Sequence, residues 1–137
     1  MDVTQVNAIE LALNRVPKID GMVSAVLVET STGHVVGALD VGSRDGSHGG
    51  PADPVTTVVA AAATDLVHTI SLLVAQQAGT GPFDELIVAF REQHHIVRPL
   101  RAPGHDGLFL LVTLDRRRAN LALARHQMQA LESQIVA

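Results

Sequence analysis

The 137-residue chain contains no cysteine, no tryptophan and no tyrosine, and its only aromatic residues are three phenylalanines. Without cysteine, neither a disulfide nor a thiolate site is available. Without stacking platforms, and with a net charge of −4, the chain offers no general attraction to nucleic acid, so we expect no such partner. The core must be aliphatic, in a single domain over residues 1–137 that buries about two-thirds of the unfolded surface.

The first residues, Met1 to Glu10, are polar and acidic, unlike the basic and then apolar pattern of a secretion signal. The absence of cysteine is also typical of a reducing compartment. We therefore expect a cytoplasmic protein.

No catalytic, cofactor or metal site is predicted. The Gly-rich segment Asp40 to Ala52 lacks the Gly-Lys-Ser/Thr ending that cradles phosphates, so it is interpreted as a solvated loop. A metal site at His94, His95 and His105 is disfavoured, because the intervening strand would separate His94 from His105 by about 17–20 Å. The serines occur mostly in turns, which gives no support to serine–histidine–acid catalysis.

One uninterrupted stretch, Asp53 to Gly79, predicts a long helix. Asp53 is a suitable N-cap residue, Pro54 is favoured at the first helical position, and Gly79 is a residue type at which helices end. At 3.6 residues per turn its apolar residues divide into two stripes. The broad stripe, which we predict to lie on a sheet, holds Val55, Val59, Ala62, Ala63, Leu66, Val67, Ile70, Leu73 and Val74.

The narrow stripe holds Val58, Ala61, Asp65, His68 and Leu72. A helix with two apolar faces is covered on both sides or spans a membrane. Asp65 and His68 disfavour membrane insertion, because ionisable groups are costly inside a bilayer. We therefore predict that this stripe packs against a second copy, with Ala61 allowing close approach. The alternative is that Val58 and Leu72 face water.

The rest of the chain predicts strands on either side of the long helix and a helix at each end. The predicted elements are a helix to about Arg15, strands Met22–Glu29 and His34–Leu39 around a turn at Thr30–Gly33, strands Asp84–Arg91, His95–Leu100 and Leu108–Leu114, and a last helix capped by Asp115. Two strands are apolar on both faces, so helices must cover both sides. The predicted class is an α/β (α+β) sandwich of order α-β-β-α-β-β-β-α. Its five-stranded sheet is mostly antiparallel, with the long helix on one face and the terminal helices on the other.

Three segments resemble the Roadblock/dynein light chain family, including its bacterial roadblock-domain proteins. Val26–Val36 is similar to the first hairpin of the family, Glu85–Leu100 to its third and fourth strands, and Leu108–Arg125 to its last strand and the start of its last helix. The resemblance covers nearly the whole chain, although the Gly-rich segment is longer than usual.

The resemblance implies a homodimer in which the long helices pack together and the third strands join the two sheets. That arrangement would place Leu86, Val88 and Phe90 at the interface. It also implies a regulator without catalytic activity of its own, which binds a small Ras-like GTPase and can stimulate its GTP hydrolysis. The alternatives are a light-chain-type scaffold and a small-ligand sensor.

Two clusters of charged residues each allow more than one interpretation. Asp65 and His68 form either a local i, i+3 pair or a contact across the dimer axis. Arg116, Arg117 and Arg118 would stand at the N-terminus of the last helix, where the helix dipole disfavours cations. They are a solvated triplet, a docking surface for an acidic partner, or the source of an arginine finger on a bound GTPase.

Overall fold

The computed structural model describes residues 19–40, 54–77, 83–100 and 107–136. Its elements are β1 (Met22–Glu29), β2 (Val35–Asp40), α1 (Pro54–Gln77), β3 (Leu86–Ala89), β4 (Gln93–Pro99), β5 (Leu108–Asp115) and α2 (Leu121–Val136). The predicted first helix, the proposed cap Asp53, His105 and most of the Gly-rich segment lie outside the described residues.

The five strands form one sheet in the order β2-β1-β5-β4-β3, and every neighbouring pair is antiparallel. The central strands β1 and β5 place Leu27 opposite Leu110 and Ala25 opposite Val112. Strands β3 and β2 form the two edges. The five-stranded antiparallel sheet of the predicted sandwich is therefore confirmed.

Each face of the sheet carries its own hydrophobic core, and a different helix covers each face. On one face α1 packs against residues that include Val26, Val28, Val97, Phe109 and Leu111. On the other face α2 packs against a core that includes Leu27, Ile96, Leu110, Val112 and Leu114. Full burial of side chains of this size contributes about 1.5–3 kcal/mol each. The strands β1 and β5 are buried on both sides, as their continuous apolar sequence predicts.

The helix α1 lies on the sheet through only part of the predicted broad stripe, a part that includes Val59, Ala63 and Val67. Its buried residues are Ala60, Ala63, Thr64 and Val67, whereas Ala62, Leu66 and Leu73 of the broad stripe are exposed. Polar residues can lie on the covered side because their hydroxyls are satisfied within the helix. Thr64 donates to the Ala60 carbonyl at 2.7 Å, and the partly buried Ser71 donates to that of Val67 at 2.7 Å. The apolar pattern therefore identified the covered side of α1 but made it too wide, because it included Ala62, Leu66 and Leu73 and left out Ala60 and Thr64.

The last helix begins later than predicted. Asp115 is the final residue of β5, and Asn120 caps α2 by accepting the Leu123 N–H at 3.1 Å. The assignment of Asp115 as the helix cap is therefore wrong. Its carboxylate instead accepts the Arg117 N–H at 3.0 Å, which closes a turn between β5 and α2. The helix α2 therefore begins with the apolar stretch after Asn120, and the three consecutive arginines belong to the preceding turn.

The start of α2 is fastened to the start of β1. Gly21 has a φ of +70°, and a Cβ there would overlap the backbone and Cβ of Ala119, so only glycine fits. The Asp20 carboxylate accepts the Asn120 N–H at 2.6 Å, and the Asp20 N–H donates to Gln127 Oε1 at 2.7 Å. These contacts hold the start of α2 against the start of β1, at the end of the sheet where the β5–α2 turn lies.

Candidate functional site

The side of α1 that points away from the sheet is broad, exposed and mostly apolar. We call it the outer face of α1, and it consists of Val58, Ala61, Ala62, Asp65, Leu66, Leu72 and Leu73. Val58 and Leu72 are each 68% exposed, Leu73 is 53% exposed and Leu66 is 43% exposed. The narrow stripe thus lies away from the sheet, and residues expected on the sheet widen it. The exposed Thr69 and Gln76 fall on the same side of the helix, so polar groups lie among its apolar residues. A large exposed apolar patch with polar groups at its rim marks an interaction site.

The same helix is long and apolar enough to cross a membrane by composition alone. The stretch Thr57–Gln76 has a mean hydropathy of 1.8, and only 22% of it is buried. However, one side of α1 packs on the sheet, and Asp65 and His68 interrupt the rest of the helix. Because a bilayer would have to desolvate both ionisable groups, a second protein surface fits the outer face better.

Asp65 and His68 are both exposed, but His68 already has a partner in its own chain. Its Nε2 lies 2.7 Å from the carbonyl oxygen of Thr30, in the turn between β1 and β2. Gly33 in the same turn has a φ of +77° and faces Thr64 of α1. His68 therefore holds the β1–β2 turn against α1, and its predicted contact with Asp65 across a dimer axis stays a prediction.

The predicted interface strand β3 is an edge strand that pairs with β4 alone among the described strands. Leu86 packs against the core beneath α1, and Val88 is half-buried, one step further along that same face. Phe90 lies just after the strand, because the chain turns at once: the Phe90 N–H donates to the Gln93 carbonyl at 2.8 Å. The strand is therefore shorter than the predicted Asp84–Arg91, and β4 begins at Gln93.

Phe90 is 51% exposed and makes an edge-to-face contact with His95, with 4.9 Å between the ring centroids. Burial lowers the pKa of His95 from its usual value of 6.5, because the charged imidazole would lose solvation there. His94 occupies the opposite face of β4, opposite Leu114. The two histidines therefore cannot share a ligand. Among the residues that the structure describes, no group of three or more metal-ligating side chains comes together.

A buried ion network, which the sequence analysis missed, secures the start of β3. The Glu85 side chain is 7% exposed and accepts from Arg98 of β4 at 2.7 Å and from Arg125 of α2 at 2.6 Å. Arg98 also donates to Glu132 of α2 at 2.8 Å. These residues are 13 to 40 positions apart, so no local spacing reveals them.

Arg98 lies at the centre of this network, between the carboxylates of Glu85 and Glu132. Burial alone would lower the pKa of Arg98, but hydrogen bonds and charge interactions with Glu132 and Glu85 outweigh it and raise that pKa. Arg98 is therefore held as a cation between two carboxylates. The network joins the edge strand to α2, on the face opposite α1.

The three arginines that follow β5 are exposed but differ in their contacts. The Arg116 N–H donates to the Glu92 carbonyl at 2.9 Å, and its guanidinium donates to the Phe90 carbonyl at 2.8 Å. Arg117 and Arg118 take part in the turn through their backbone N–H groups. The structure corrects the position of the triplet: it stands in a turn before α2 and not on the helix.

A shallow depression of about 200 Å³ lies beside this turn, lined by Val23, Glu92, Gln93, Asp115 and Arg117. Ligand pockets usually occupy about 300–1,000 Å³ and have mostly apolar walls. This small, open and polar depression does not have the form of a typical ligand pocket.

Comparison with solved structures identifies the fold. The gliding protein MglB from Thermus thermophilus has a TM-score of 0.76 at 14% identity, covering 99% of this chain and 91% of that chain. Myxococcus xanthus MglB has a TM-score of 0.74 at 16% identity, covering 99% and 90%. A Roadblock/LC7 domain from Streptomyces avermitilis has a TM-score of 0.67 at 20% identity, covering 89% and 88%.

No protein-family model matches the chain, and no characterised protein matches it by sequence. The fold is nevertheless that of the bacterial roadblock domain, as the resemblance in sequence implies.

Proposed function

We propose that this protein is a homodimeric regulator of a small Ras-like GTPase and has no catalytic site of its own. The observation that carries the proposal is the outer face of α1, a wide apolar surface on the side of the helix that the sheet does not cover. A second copy related by a two-fold axis would cover it with an identical surface.

The edge strand supports the same arrangement. Leu86 and Val88 lie on the sheet face that carries α1, so a second copy could meet the outer face of α1 and the free edge of β3 together. An edge strand with unpaired backbone groups is a ready site for a further strand. Each contact alone is small, but a stable interface of about 1,600 Å² requires several such elements.

The GTPase partner is supported by the family resemblance and by the likeness to the two MglB structures, the first of which is described as a gliding protein. Such a regulator acts by positioning the switch residues of the GTPase, so its effect on hydrolysis arises from binding. A scaffold that tethers larger assemblies without changing any rate is the second candidate, because the same surfaces would serve it.

The proposal is tested by following GTP hydrolysis by a small GTPase encoded near this protein, with and without the purified chain. We expect a stable complex and faster hydrolysis with the wild-type protein, and loss of both with Leu72→Glu, which places a charge on the outer face of α1. Ala130→Glu adds the same charge at an exposed position of α2 and should behave as wild type. A stable complex with an unchanged rate would favour the scaffold, and no complex with any small GTPase would contradict the proposal.

A further inference from the structure

Four arginines gather at one end of the sheet, and we call them the basic end: Arg91, Arg116, Arg117 and Arg118. The described residues contain two other arginines, Arg98 and Arg125, and both are paired with carboxylates. None of the four forms an ion pair with a carboxylate in the described part of the chain. In a protein with a net charge of −4, this concentration of unpaired positive charge stands out.

Two turns are bonded together to build the basic end. Arg91 lies in the turn that begins at Phe90, and Arg116 joins that turn to its own by donating to the Phe90 and Glu92 carbonyls. Asp115 then closes the second turn, since its carboxylate accepts the Arg117 N–H and its carbonyl accepts the Arg118 N–H. Arg116 is thus committed to the fold, whereas the Arg117 and Arg118 guanidinium groups are presented to solvent on a fixed backbone.

Helix stability does not account for these residues. Arg117 and Arg118 lie in the turn before Ala119 and the Asn120 cap, so they are outside α2. Because the effect of the helix dipole falls off within the first helical turn, it does not explain these exposed cations. Within the described residues, the Arg117 and Arg118 side chains form no ion pair, so we look for their partner outside this chain.

We propose that the basic end is a docking surface for an acidic segment of another protein, in which Arg117, Arg118 and Arg91 bind carboxylates. Guanidinium groups form paired hydrogen bonds with carboxylates, and a fixed backbone lowers the entropy lost on binding. The choice of a protein partner rests on the proposed regulator function. If the partner is the proposed GTPase, the surface of the GTPase that contacts the basic end should contain carboxylates.

Nucleic acid and anionic membranes fit the basic end less well. Glu92 and Asp115 lie within the same two turns and reduce its local charge, and the rest of the chain is acidic. Binding that neutralises about six or more phosphates of a nucleic acid would need more cations than the basic end holds. Recruitment to a membrane surface uses roughly four to eight basic residues, and Arg91, Arg117 and Arg118 alone remain at the basic end once Arg116 is committed to the fold. Among the described exposed aromatics, Phe90 alone is near enough to stack a base.

The test is an NMR titration of the ¹⁵N-labelled full chain with a synthetic peptide of eight glutamates, at 50 mM and 300 mM salt. We expect the Arg117 and Arg118 Nε–H signals and the amides of both turns to shift first, with weaker binding at high salt. Arg117→Gln/Arg118→Gln should weaken binding at least fivefold without lowering the melting temperature. The charge-conserving Arg117→Lys/Arg118→Lys should bind more weakly than wild type but more tightly than the glutamine variant, because lysine keeps the charge and loses the paired hydrogen bonds.

Three results would overturn the proposal: no shift at millimolar peptide, largest shifts away from the two turns, or tighter binding of a twelve-nucleotide oligothymidine or of phosphatidylserine vesicles at the same residues. A fall in melting temperature that matches the loss of binding would make the arginines structural and would contradict it too. Since this titration contains no GTPase and does not require dimerisation, its failure is distinguishable from failure of the proposed function.

Discussion

At the residue scale, the least replaceable polar side chain in the described structure is Glu85. Its carboxylate is almost fully buried and is the shared acceptor of Arg98 and Arg125, which belong to different elements. Removing Glu85 would take from the mostly buried Arg98 one of its two carboxylate partners, which costs more than the pairing itself contributes. Together with the β3–β4 pairing and the packing of Leu86, this carboxylate holds β3 at the sheet edge.

We expect Glu85→Ala to lower the free energy of unfolding by about 3 kcal/mol, because Arg98 would keep one of its two carboxylate partners while losing the other. Urea unfolding followed by circular dichroism measures this loss. Glu92→Ala removes an equal charge from the exposed β3–β4 turn and should change the value by less than about 0.5 kcal/mol. Equal effects of the two substitutions would show that the network does not stabilise the fold.

At the element scale, α1 combines a narrow, small-residue contact with the sheet and a wide apolar face directed away from it. Ala60 and Ala63 let the helix approach closely, and the bonded hydroxyl of Thr64 is buried with them. As a result the largest apolar side chains, such as Leu66, Leu72 and Leu73, are left for another surface. A surface helix usually directs its large apolar residues at its own core, whereas α1 buries Val67 but leaves these three leucines exposed.

Neighbouring alanines test the observed orientation of α1. Ala63→Leu should overpack the core and destabilise the fold by about 1–3 kcal/mol. Ala62→Leu should cost less than about 0.5 kcal/mol, since Ala62 is exposed. Both substitutions are measured by thermal unfolding in a Leu72→Glu background, so that dimerisation does not contribute. Equal costs would favour the orientation predicted from sequence, in which both alanines lie on the sheet.

The sequence predicted the strands and the two doubly buried central strands well, because continuous apolar runs between turn residues depend on local chemistry. It made the covered arc of α1 too wide on one side and left out Thr64 on the other, since hydrophobic periodicity counts a hydroxyl as polar even where it is bonded within the helix. It also missed the Glu85 network, because the contacts of that network join residues far apart in the sequence. It missed the cap Asn120 because Asp115, five residues earlier, is an equally suitable cap residue by type.

At the scale of the whole molecule, the two faces of the sheet differ in how much apolar surface they leave exposed. The α2 face is closed by its own core and by the ion network. The α1 face ends in an apolar surface and adjoins the free edge of β3, and the basic end lies where β3 turns into β4. Self-association through one surface and partner binding through another are therefore compatible in the proposed regulator.

The mass of the protein in solution tests this account most directly. Sedimentation equilibrium at micromolar concentration should give 29 kDa for the wild type, twice the 14.5 kDa of one chain. Leu72→Glu should raise the dimer dissociation constant at least about 100-fold, equivalent to about 2.7 kcal/mol, while Ala130→Glu leaves it unchanged. A folded wild-type protein of 14.5 kDa at that concentration, with Val58 and Leu72 exposed to solvent, would contradict the account.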